Sequence, residues 1–169
     1  FMARPLRIEY PDALYLVSSH GNGNLWLCKD PSDIQTFIDC LLRTVNKYHF
    51  QVFAFTLLRD HYRLLLKTPE GNLARGMMQF NRELAILHNR KYNRKGSVFR
   101  HRYDAVLVQE KSHFGRAYSD VTDMPFDGNS TSPSVPHEGS HLHWLSKADE
   151  RTRKIISINL MKNKNFINN

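Results

Sequence analysis

Leu58-Arg59-Asp60-His61-Tyr62-Arg63-Leu64-Leu65-Leu66 decides the fold. Gln51 to Leu58 is dense in Val, Phe and Leu, His61 to Lys67 is dense in Leu, and Arg59-Asp60 is a tight polar break between them. Two β-prone runs joined by so short a break make a β-hairpin in the middle of a sheet. Side chains on a strand alternate faces, so Tyr62, Leu64 and Leu66 point one way. His61 and Arg63 point the other way, about 6 to 7 Å apart. That spacing is how a strand presents two ligands to one metal ion. Of this pair only His61 is a ligand, because a guanidinium stays protonated and has no lone pair to give.

Outward from the hairpin, Thr68-Pro69-Glu70-Gly71-Asn72 ends the second strand, and Asn72 is placed to cap a helix. Leu73, Met77, Phe80, Leu84 and Leu87 share one face of that helix, which should end near His88, with Met77-Met78-Phe80 as core. Upstream, Ala13 to Ser19 reads as a strand stopped by Gly21-Asn22-Gly23. Asp30-Pro31-Ser32-Asp33 then supplies a cap, a proline at the first helical position and an acid in the first turn. The stripe Ile34, Phe37, Ile38, Leu41, Leu42, Val45 and Tyr48 follows at helical spacing. Past a basic loop, Asn89 to Gly96, a fourth strand is expected within Phe99 to Gln109, where Tyr103, Ala105 and Leu107 alternate against Asp104, Val106 and Val108.

The order strand, helix, strand, strand, helix, strand predicts an α+β, ferredoxin-like βαββαβ fold. Its four-stranded antiparallel sheet carries both helices on one face, and the other face is expected to be open, displaying His61 and Arg63. An irregular C-terminal extension completes the chain. Lys111 to Tyr118 reads as a short helix, 119–143 as a disordered linker rich in Pro, Ser, Asp and Gly, and 144–169 as a basic tail with some helical content.

The chain has 169 residues and a formal charge of +8, enough for one domain with a tail and suited to a polyanionic partner. The charge is clustered. Arg82, Arg90, Lys91, Arg94, Lys95, Arg100 and Arg102 surround Tyr92 and His101, a mixture that suits phosphate contacts and base stacking in single-stranded nucleic acid. Cys28 and Cys40 match no zinc or redox spacing and read as reduced and structural. No apolar run is long enough to span a bilayer, so no membrane partner and a cytoplasmic location are expected. His137 and the His141-Leu142-His143 triplet read as exposed tail residues, and His49, His88 and His113 as surface or boundary residues.

Met2-Ala3-Arg4-Pro5-Leu6-Arg7-Ile8-Glu9-Tyr10-Pro11, Ala13-Leu14-Tyr15 with Gly21-Asn22, the strand around His61-Tyr62, Thr68 to Leu73, and Phe99 through Arg102-Tyr103 to Val108 occur in this order. Together they resemble the single-tyrosine HUH transposases, with the REP-associated tyrosine transposases as the nearest branch. The resemblance runs from Met2 to about Ser112 and implies a transposase-like HUH domain over 2–118. It implies metal-dependent nicking and strand transfer of single-stranded or hairpin DNA, through a phosphotyrosine intermediate, in DNA transposition. One divalent cation, Mg or Mn, would be held by a His-hydrophobic-His pair of which His61 is the first member. Tyr118 would be the nucleophile, and a homodimer is compatible with relatives that share active sites between chains.

This chain departs from the pattern. Arg63 replaces the second histidine, Leu16 and His20 alter the first strand, and Gly115 weakens the helix that should carry Tyr118. The expectation is therefore a transposase-like, single-stranded DNA-binding protein with impaired cleavage, Arg63 serving as a fixed cation for phosphate. The alternative is a catalytically inactive nucleic-acid-binding module or domesticated regulator.

Overall fold

In the computed structural model, which describes residues 9–109 and 111–122, the hairpin forms as β2 (Gln51–Leu57) and β3 (His61–Thr68). With β1 (Ala13–His20) and β4 (Asp104–Leu107) these make a four-stranded antiparallel sheet in the order β2-β3-β1-β4. The crossover helices are α1 (Pro31–Tyr48) and α2 (Leu73–Lys91), and α3 (Lys111–Thr122) follows the last strand. The ferredoxin-like α+β architecture is the one that the order of apolar periods predicts.

Local chemistry explains where α1 starts. The Asp30 side chain accepts from Ser32 N at 2.8 Å, the Asp33 side chain accepts from Asp30 N at 3.2 Å, and Pro31 opens the helix. Each bond satisfies an amide that the first turn leaves unpaired. The apolar stripe of α1 then buries Phe37, Ile38, Leu41 and Val45 against the sheet. Phe37, Tyr62 and Phe80 form the aromatic centre of this layer, with ring centroids 5.3 to 5.5 Å apart. Met77 joins it, whereas Met78 lies on the outer face of α2 and is 68% exposed.

Three local expectations are corrected. Asn72 makes no side-chain cap for α2, since its Nδ2 donates to Tyr48 O at 3.1 Å and so serves the carboxyl end of α1 instead. Helix α2 runs three residues past His88, to Lys91, where Lys91 and Tyr92 find partners on α1. Strand four pairs regularly only from Asp104, with Phe99 making an isolated bridge to Gly21. Between them Tyr103 turns into the core while Arg100, His101 and Arg102 remain solvated, which interrupts the alternation a strand needs.

The second sheet face is not open throughout. Helix α3 lies over β2 and β3, where Ala117 and Val121 pack with Leu14, Phe53, Ala54 and Leu65. A register shift between Val52 and Ala54 lets both Phe53 and Ala54 reach this cluster, and Phe114 meets Phe53 edge-on at 5.2 Å. Thr56 Oγ1 donates to Val121 O at 2.5 Å and ties down the far end of the helix. The physical reason is plain: Leu65 and Phe53 are too apolar to leave in water. Helix α3 also continues to Thr122, into the segment read as linker. The remainder of that linker, the basic tail and the His141-Leu142-His143 triplet lie outside the described residues.

Candidate nucleic-acid interface

The part of the second face beyond α3 is built from register partners. Ser18 on β1 stands between Arg63 on β3 and Asp104 on β4, and one row further His20 stands opposite His61. Since paired residues share a face, Ser18, His20, His61, Arg63 and Asp104 all point away from α1 and α2. The two imidazoles stack, with ring centroids 4.9 Å apart and planes inclined by 17°. His61 Nδ1 lies 2.8 Å from Asp60 Oδ1, an interaction that holds the Asp60 carboxyl below the usual range. Burial, reinforced by the neighbouring His61, lowers the pKa of His20 from its ordinary value, against the opposing pull of Asp60 and Asp104. His20 therefore favours its neutral form here.

Arg63 is placed on this face as the strand alternation requires, and its Nη1 reaches Asp120 O of α3 at 3.4 Å. Tyr118 sits two residues before Asp120 on the same helix, half-buried, its ring stacked on Phe114 at a centroid distance of 6.2 Å. The helix that carries the one tyrosine after Tyr103 is thus joined to the strand that carries His61 and Arg63.

The basic residues divide into two groups. Arg100 and Arg102 are exposed at the His20 end of the sheet, where Arg100 N donates to His20 O at 3.0 Å, and His101 between them bonds the Arg102 carbonyl. Arg82, Arg90, Lys91, Arg94 and Lys95 instead follow α2 and the loop beyond it, in the helix layer. Lys91 Nζ contacts Asp30, Ser32 and Asp33 at 2.6 to 2.8 Å, and these acids raise its pKa against the effect of burial. Tyr92 donates to Asp33 Oδ2 at 2.7 Å, and Lys29 lies 4.1 Å over its ring. Lys91 and Tyr92 thus pin α2 to the start of α1, rather than offering a free ammonium and a bare ring to a strand.

Several groupings are invisible along the chain. His20 and His61 are 41 positions apart and meet only through the β1–β3 register. His88, read as a boundary residue, is 5% exposed and its Nε2 lies 3.0 Å from Trp26 O. His49, also read as a surface or boundary residue, is exposed and its Nδ1 lies 2.5 Å from Glu70 Oε1. Arg59 covers the ring of Trp26, with its Cζ 3.5 Å from the ring.

The divalent cation that the resemblance implies does not fit these residues. Arg63 puts a permanent positive charge beside His61, and Mg or Mn prefers several oxygen ligands. Among the described residues no three His, Cys, Asp or Glu side chains converge in a way that could hold a metal ion.

No family model and no curated protein matches the sequence. Among solved structures, the chain is similar to a candidate transposase from Deinococcus radiodurans R1, at 15% identity and a TM-score of 0.47, over 68% of this chain and 92% of that one. It is also similar to a REP-associated tyrosine transposase solved with a REP hairpin bound, at 9% identity and a TM-score of 0.61, over 71% of this chain and 70% of that one. The chain thus has a fold like that of the REP-associated tyrosine transposase.

Proposed function

We propose that this chain is a transposase-like DNA-binding protein that takes single-stranded or hairpin-flanking DNA across the uncovered part of its sheet. The observation that carries the reading is the convergence of Arg63, His20 and His61 on one face with Arg100 and Arg102 at its end. Guanidinium groups at such a surface bind phosphate oxygens and release counterions, which supplies affinity without reading sequence. The net charge of +8 draws a polyanion to it. The shared fold with a transposase solved on a DNA hairpin adds support.

Cleavage through Tyr118 is impaired in this reading. A phenol attacks phosphorus well only when its proton is removed and the charge on the leaving oxygen is offset. The cation site that would offset it is replaced by Arg63, which binds a phosphate but is no metal ligand. That substitution specifically favours the second reading, a nucleic-acid-binding module without chemistry.

A labelled hairpin-ended single strand, incubated with the protein with and without Mn, tests both. Tight, salt-sensitive binding with no covalent adduct supports the binding reading. An adduct that disappears in Tyr118→Phe makes the chain an active strand transferase. Binding that is absent, or indifferent to salt, overturns the proposal. Sedimentation of the same complexes reads whether one or two copies occupy each strand.

A further inference from the structure

Beside the sheet end just described, the loop between β1 and α1 carries Trp26, a large apolar residue that is 42% exposed although the adjacent Leu27 is buried. One face of the indole is occupied by Arg59, with the guanidinium carbon 3.5 Å from the ring centroid, and the residue keeps its exposure with that face covered. The loop does not need this pair to stay in place. Gly21 N donates to Asp60 O at 2.7 Å, and Leu27 N and Cys28 N donate to Arg59 O at 2.6 and 3.2 Å. His88 Nε2 holds the Trp26 carbonyl from α2. Space is also tight at the loop's start, where a Cβ on Gly21 would lie 2.5 Å from Leu25 O. The backbone of Trp26 is therefore fixed from two sides while the residue, with Arg59 on its ring, stays exposed.

We propose that Trp26, backed by Arg59, is a stacking platform for one unpaired nucleobase of a single DNA strand. It rests on the DNA-binding reading above and adds to it a contact that sets where the strand lies. The turn Arg59-Asp60 links the platform to the phosphate-facing residues. Its Arg59 end holds the tryptophan loop, and its Asp60 end contacts His61. A base on Trp26 would thus belong to a nucleotide adjacent to the segment crossing His61 and Arg63. An indole already held by a guanidinium loses little further freedom when a base arrives, and the cation polarises the stack. A base is planar and uncharged and has a π-face whatever its identity, so the platform fixes position without demanding sequence.

The test uses the full chain in a Trp144→Phe background, so that Trp26 is the one fluorescent indole, titrated with a hairpin-ended deoxyoligonucleotide bearing an unpaired flank. Saturable quenching is expected. Trp26→Ala should weaken binding by about tenfold or more, and Trp26→Phe should recover most of it. The salt dependence should stay as in the parent, because no phosphate contact is lost. A set of flanks with one abasic position each should show a single position at which the parent loses affinity and Trp26→Ala loses none. If the parent binds but Trp26→Ala binds equally well, or no abasic position discriminates the two, the platform is overturned and the DNA-binding reading stands. If the ring is only a structural brace, Trp26→Ala lowers Tm and leaves the abasic profile unchanged, which also overturns it. If the parent does not bind the strand at all, the broader reading fails and the platform fails with it.

Discussion

Arg63 stands two residues after His61 on β3, and the proposed DNA-binding reading turns on that one side chain. A guanidinium there favours a phosphate and repels a divalent cation. Arg63→His would place a second imidazole on the same face, so Mn affinity measured by calorimetry is expected to rise above the parent's. No gain would mean that the oxygen ligands a hard cation needs are missing too. His88 allows a different test. Burial holds its pKa below the ordinary value of 6.5, so the unfolded chain takes up its proton first as pH falls. Its folded form is therefore fully stable above about 6.5 and loses stability as pH drops through that value toward the lowered folded pKa, and His20 contributes with the same sign. His88→Gln keeps a donor for Trp26 O but does not titrate, so urea midpoints should fall less between pH 7 and 5 in that variant. An equal fall in both proteins would place the acid sensitivity elsewhere.

Among the elements, α2 is locked at two points of different chemistry, one against Phe50 just before β2 and one against the start of α1. At Gly76 a Cβ would lie 2.1 Å from Phe50 Cζ, and Phe50 is 1% exposed, so α2 can approach only because that position has no side chain. Gly76→Ala should cost about 1 to 3 kcal/mol by overpacking, against the usual gain for alanine in a helix, as read from denaturant midpoints. A stabilised variant would show that Phe50 has room to move. The other lock is Asp33, 6% exposed, where burial would raise the carboxyl pKa but bonds from Lys91 and Tyr92 outweigh it and hold it low. That contribution is present above the ordinary carboxylate value and is lost as pH falls below about 4. Lys91→Met should lower stability by about 1 to 3 kcal/mol, because it leaves a buried acceptor short of its partner. It should leave DNA affinity nearly unchanged, whereas Arg102→Ala should weaken DNA binding and flatten its salt dependence. The reverse outcome would move the strand from the sheet end to the helix layer.

Across the whole molecule, what could be read along the chain followed from local periods. Alternation in His61–Thr68 and three- and four-residue spacing in α1 depend on neighbours within a few positions, so the hairpin, the crossover helices and their order were legible before any contact was known. The outward placement of His61 and Arg63 was equally legible, because a strand fixes which side chains share a face. The exposed Met78 and the shortened fourth strand were not, since both depend on what lies opposite. Nor was the cover that α3 lays over Phe53 and Leu65, which took a register shift in β2 to form. The same limit applies to the basic residues, where charge suits a polyanionic partner but cannot say that Lys91 is held by Asp30 and Asp33. By itself the sequence determined the ferredoxin-like order of elements and the placing of Arg63 beside His61 on one strand face. Only the tertiary structure decided that His20 stacks on His61, that Arg59 backs Trp26 and that α3 closes part of the second face. Those pairings join residues tens of positions apart, and strand register and packing, which no local pattern encodes, bring them together.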